Sequence, residues 1–95
     1  MRLMDISIEK LRNALSKDDH EYINSKLETL KAEAIASLEP TIGIDSEGAK
    51  NVAKNSTLDI LSDRYIVEYC RKALDDVDND KVLLALQIQM QVVNK

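Results

Sequence analysis

The stretch "VLLALQIQMQVV", Val82 to Val93, runs twelve residues without a charge in a 95-residue chain that is 32% charged. Its reading decides the fold. As a strand, Leu86, Ile88, Met90 and Val92 alternate with Gln87, Gln89 and Gln91, the period-2 pattern of a half-buried sheet. As a helix, Leu83, Leu86, Met90 and Val93 form one stripe on a 3.6-residue period, with Gln87, Gln91 and Asn94 gathered opposite. Leu, Ala, Gln and Met are good helix formers, and "DVDND" offers caps just before Lys81. A sheet would lack convincing neighbouring strands. The segment therefore reads as a helix, and the fold as all-α: a small bundle of four to five helices whose last, over residues 80–95, faces an assembly. The alternative is an α+β fold in which "MRLMDISI" and "TIGI" pair with the C-terminal segment as strands.

Upstream, Ser56 or Thr57 can cap a helix through "LDILSDRYIVEYCRKAL", on which Leu58, Leu61, Tyr65, Ile66, Tyr69, Cys70 and Ala73 cover a broad face. This reads as the central helix. Before it, "EGAKNVAK" suggests a helical turn or two, and "PTIGIDSEG", holding the only Pro and both Gly, is the main connection. Further back, Ile23, Leu27, Leu30, Ala34 and Leu38 recur at helical spacing, with Ile35 widening the stripe. Ser16 reads as the N-cap of this long helix, with Asp19 as its capping-box partner and Asp18 and Asp19 at the positive end of the dipole. Pro40 is expected to stop it. A first short helix, Ser7 to Leu15, puts Ile8, Leu11 and Leu15 on one face and is too short to stand alone.

Ninety-five residues support one domain, 1–95, with a thin core. Trp and Phe are absent, so Leu, Ile, Val, Met and Ala must supply that core, and such a domain gains from associating. A net charge of −4 argues against a protein whose main task is gripping nucleic acid. The lone Cys70 rules out a disulfide framework, and the apolar runs fall far short of the roughly 20 residues of a membrane span. A reducing cytoplasm is the simplest home.

No constellation reads as catalytic, and no cofactor is implied. Asp76, Asp78 and Asp80 have the one-three-five spacing of a calcium loop, but Lys81 stands where Gly makes the turn and Gln87 where a bidentate Glu closes the sphere. That cluster reads as a solvated, capping turn. Cys70 and His20 lie on different helices with no orienting third group, so Cys70 reads as a buried structural thiol and His20 as solvated. Gly43 and Gly48 make no phosphate cradle. Arg64, Arg71 and Lys72 form the densest basic stretch, and two readings stay open. Either Glu68 links Arg64 and Lys72 in an intrahelical ladder, or the basic residues reach an acidic neighbouring subunit.

The order of these features, "SIEKLRNAL", "SKDD", "EYINSKLETLKAEAIASL", "GID", "SDRYIVEYCRKAL", an acidic turn and a last helix, resembles the small head-tail connector (adaptor) proteins of tailed bacteriophages. The resemblance rests on Leu11-Arg12, Asp18-Asp19, Leu30 to Ala34 and Tyr69-Cys70-Arg71 and spans most of the chain. It implies a helical structural subunit, not an enzyme, that forms a homo-oligomeric ring joining portal to tail in a virion assembled in the host cytoplasm. Portal and tail proteins would be its partners, with DNA only as non-specific channel cargo and no membrane. The expected oligomer or partner interface is Leu83, Leu86, Met90 and Val93 with Arg64, Arg71 and Lys72. The alternative is a small helical binding or inhibitor protein that oligomerises or covers a host partner.

Overall fold

The computed structural model describes residues 6–42 and 56–93. Four α-helices follow one another, α1 (Ile8–Leu15), α2 (Glu21–Ile42), α3 (Ser56–Asp75) and α4 (Asp80–Val93), and no strand occurs among the described residues. The segment over Val82 to Val93 is thus helical, which overturns the α+β alternative. The expected strands "MRLMDISI" and "TIGI" and the turn at "EGAKNVAK" lie wholly or partly outside the described residues.

Helix α1 forms because Ser7 caps it, its hydroxyl accepting from the Lys10 backbone N–H at 3.2 Å. Ile6 and Leu11 occupy the two positions of a hydrophobic staple, and both are buried. Its end corrects the expected role of Ser16. That residue adopts the left-handed conformation (φ 57°), while the Lys17 N–H reaches the Arg12 carbonyl at 2.9 Å and the Ser16 N–H the Asn13 carbonyl at 3.3 Å. Those two bonds make a Schellman motif, so Ser16 closes α1 instead of opening α2. The opening of α2 falls to His20, whose Nδ1 accepts from the Tyr22 N–H at 3.1 Å and whose carbonyl accepts from Asn24 at 2.9 Å. Asp19, freed from capping, accepts from Asn24 Nδ2 at 2.9 Å and pairs with Arg12, which itself donates to Asn24 Oδ1 at 2.9 Å. This triad links α1 to the first turn of α2 across the intervening turn.

Helix α2 continues through Pro40 to Ile42 instead of stopping there. The fixed φ of proline is itself helical, and within the last turn its missing N–H forfeits only one bond, that to the Ala36 carbonyl. The expected stripe does face the core: Leu27, Leu30, Ala34 and Leu38 are buried, with Ile23 and Ile35 packed partly against them. Helix α3 is central, contacting each of the other three helices. Leu58, Tyr65, Ile66 and Cys70 are its buried contribution, Leu61 and Tyr69 pack partly, and Ala73 is exposed. Side chains of all four helices meet in a single apolar cluster.

Long-range polar links pin the ends of the helices. Lys17 pairs with Asp75 at 2.5 Å, joining the turn after α1 to the end of α3. At the start of α4, Asn79 turns its amide inward and donates from Nδ2 to the Glu68 carbonyl and to Glu68 Oε2, both at 2.9 Å. Its Oδ1 is buried without a hydrogen-bond partner. A cap residue would ordinarily present that oxygen to the first turn of its own helix; here the Asn79 amide is used to fasten α4 to α3.

A candidate assembly surface on the last helix

An uncharged helix on a small domain has two ways to hide its apolar side chains: against its own core or against another chain. Helix α4 divides them. Leu83, Leu86 and Met90 are buried within the single chain, Met90 with no exposed surface at all, and Val93 packs partly against the same cluster. These residues were expected at the interface. Because their apolar area is already removed from water by α2 and α3, they have little left to offer a partner.

The area that remains lies on the other side of the helix. Leu84, Ile88 and Val92, spaced i, i+4, i+8, are 57%, 51% and 64% exposed. They form a continuous apolar row along α4. Sequence reasoning missed it by choosing one stripe where the pattern holds two. Gln87 is correspondingly not on the solvent side: it is half-buried and donates from Nε2 to the Tyr65 hydroxyl at 3.0 Å, a hydroxyl also 3.3 Å from Ser37 Oγ.

Beside the row, between α2, α3 and α4, lies an open groove of about 600 Å³. Leu30, Tyr65 and Leu83 contribute apolar lining, and Glu33, Asp76 and Asp80 lie along it. Tyr69 also lines it, with its ring centroid 6.2 Å from that of Tyr65. Desolvation by burial, reinforced by the neighbouring Glu33 carboxylate, pushes the Tyr69 phenol above its ordinary value. On the opposite flank of α4, Arg64, Lys81, Val82, Ala85, Leu86 and Gln89 line a shallower cleft of about 260 Å³.

The basic residues expected at the interface separate into different roles. Arg71 pairs with Glu68 and donates to the Ala14 carbonyl at 3.4 Å, tying α3 to α1. Lys72 pairs with Asp80 across the α3–α4 turn, and the hydrogen bond to that carboxylate raises its pKa. The Arg64–Glu68–Lys72 ladder is therefore replaced by contacts of Glu68 with Arg71 and Asn79 and of Lys72 with Asp80. Lys72 and Arg64 are both exposed, and Arg64 lines the cleft on the far flank of α4 together with Lys81.

Cys70 is fully buried, and desolvation pushes its thiol up to about 11. His20 is exposed and serves α2 as a cap. Within the acidic turn, Asp80 is committed to Lys72, and no group of three or more His, Cys, Asp or Glu among the described residues is placed to hold a metal ion. No described helix is long and apolar enough to cross a membrane. No protein-family model matches the chain, and neither a curated protein nor a solved structure matches it.

Proposed function

We propose that this chain is a structural assembly subunit, most concretely a head-tail connector of a tailed bacteriophage, which associates with copies of itself into a ring and joins portal to tail. It performs no chemistry of its own and acts in the virion, after assembly in the host cytoplasm. The observation that carries the reading is the apolar row Leu84, Ile88 and Val92, left more than half exposed on a chain whose core is otherwise closed by four helices. Covering that row with another chain would remove its apolar area from water, which is the driving force for association. The residue order given above supplies the identity of the assembly, and the acidic balance of the chain suits a channel through which DNA must slide without being held.

A second reading, a small helical protein that covers a host partner, is favoured by the groove lined by Leu30, Glu33, Tyr69 and Leu84, which could receive a partner segment. Molar mass in solution separates the two. A connector forms a ring alone or with the portal protein, and Leu84→Glu/Ile88→Lys abolishes that ring with helicity retained. A chain that stays monomeric in both conditions and with tail proteins refutes the connector reading. Stoichiometric capture of a single host protein would then favour the alternative.

A further inference from the structure

The two clefts that flank α4 carry charges of opposite sign. One flank carries Glu33, Asp76 and Asp80, with Lys72 tied to Asp80; the other carries Arg64 and Lys81. Leu84 belongs both to the row and to the acidic groove. We infer that the occupant of this surface is a second copy of the chain, oriented so that the acidic flank of one α4 faces the basic flank of the next. The inference rests on the assembly reading above and specifies its contact.

Two physical points carry it. The first is orientation. Turning the second copy end over end, so that the two α4 helices run antiparallel across the row, sets acidic flank against acidic flank and basic against basic. Parallel or head-to-tail packing sets each against its opposite, and like-charge juxtaposition is a strong discriminator between docking modes. Parallel packing of row on row closes as a two-fold dimer, whereas head-to-tail contacts, the acidic flank of one copy on the basic flank of the next, generate a ring when the rotation closes. The second point is size. A 14-residue helix is about 21 Å long and about 10 Å wide, a footprint of about 200 Å², well below the roughly 800 Å² per partner of a stable interface. The row alone is too small, so the flanking clefts must take part and their charges cannot be bystanders.

The test uses the full chain in two variants whose altered residues are all exposed. Arg64→Glu/Lys81→Glu makes both flanks acidic. Glu33→Lys/Asp76→Asn leaves the acidic flank only Asp80, already paired with Lys72, with Asn chosen because position 76 has φ 53° and Asn tolerates the left-handed region. Sedimentation equilibrium is run on each variant, on their equimolar mixture and on the wild type, with circular dichroism confirming equal helicity. Each variant alone should associate at least about tenfold more weakly than wild type, and the mixture should recover to within about threefold. Assembly of either variant as tightly as wild type overturns the inference and leaves the assembly reading intact. So does a mixture no stronger than its components. A wild-type chain that stays monomeric at about millimolar concentration overturns both the inference and self-assembly, since even a weak interface of about −4 kcal/mol is half-filled there.

Discussion

Asn79→Asp should destabilise the fold although every local rule for helix starts favours it. Asp and Asn are equivalent caps, and a negative charge at a helix N-terminus contributes about 0.3–1 kcal/mol. At this position, however, the amide donates twice to Glu68, once to its carbonyl and once to its carboxylate, and the residue is 7% exposed. The substitution removes a neutral bond of about 1 kcal/mol and a charge-assisted bond of about 1.5–3 kcal/mol, and sets a second carboxylate against Glu68. The dipole gain offsets at most about 1 kcal/mol, so a net loss of about 2–4 kcal/mol follows.

Asn79→Ala loses the same two bonds but also removes the buried Oδ1 that has no partner. The relief of about 1–3 kcal/mol leaves a milder loss of about 1–2 kcal/mol. Urea unfolding at neutral pH gives the ordering: wild type most stable, Ala next, Asp last. Acidification supplies the sign check. Burial and Glu68 raise the pKa of the introduced carboxyl in the fold, so its penalty is full above that raised value and shrinks as pH falls towards the unfolded value of about 3.9, where a protonated carboxyl can donate to Glu68. A variant Asn79→Asp as stable as wild type, or more stable than Asn79→Ala at neutral pH, would refute the reasoning and show that the residue works as an ordinary cap.

Four further perturbations read other parts of the fold. Ser16→Gly should raise stability by about 0.5–1 kcal/mol in the same urea assay, because glycine occupies the left-handed conformation at φ 57° without the Cβ penalty; a destabilised variant would reject the Schellman assignment. Leu86→Glu/Met90→Lys should lose helicity by circular dichroism at room temperature: both side chains are buried in the monomer, and desolvating two charges there, even as an i,i+4 pair, while losing two apolar core side chains takes a large share of the roughly 5–15 kcal/mol that holds a domain together. The paired surface variant Leu84→Glu/Ile88→Lys should keep its helicity, gaining an i,i+4 ion pair of about 0.2–0.5 kcal/mol. Cys70 should react with thiol reagents in native buffer at least about a hundredfold more slowly than in denaturant, and fold stability should decline as pH rises from about 9 towards 11, because only the unfolded chain ionises its thiol in that window.

The parts of this fold that the sequence discloses are those set by one helix and one face. The spacing of Leu27, Leu30, Ala34 and Leu38 leaves a single apolar side to α2, so its burial follows from period alone. The two termini around residues 16–20 are harder, because "SKDD" carries a capping signature that is satisfied by more than one backbone path. Ser16 could open a helix only if α1 ended earlier; once Leu11 and Leu15 are both drawn into the core, α1 must run to Leu15 and the next residue must close it. Capping then passes to His20, whose ring nitrogen is an acceptor that no Ser/Thr/Asp/Asn rule looks for.

Helix α4 was ambiguous for a different reason. Both Leu83/Leu86/Met90 and Leu84/Ile88/Val92 are valid helical stripes, and local pattern cannot rank them. The choice is made at a distance, by the packing of Leu83, Leu86 and Met90 into the cluster built by the other helices, and the bonds of Asn79 to Glu68 and of Gln87 to the Tyr65 hydroxyl fasten α4 in that same rotation. Burying three large apolar side chains outweighs the amide bonds, so the core decides which apolar row is left facing water. A change that released Asn79 should therefore weaken the fold while α4 keeps its rotation, because Leu83, Leu86 and Met90 still have to be buried, and the row Leu84, Ile88 and Val92 stays the surface offered to a second copy.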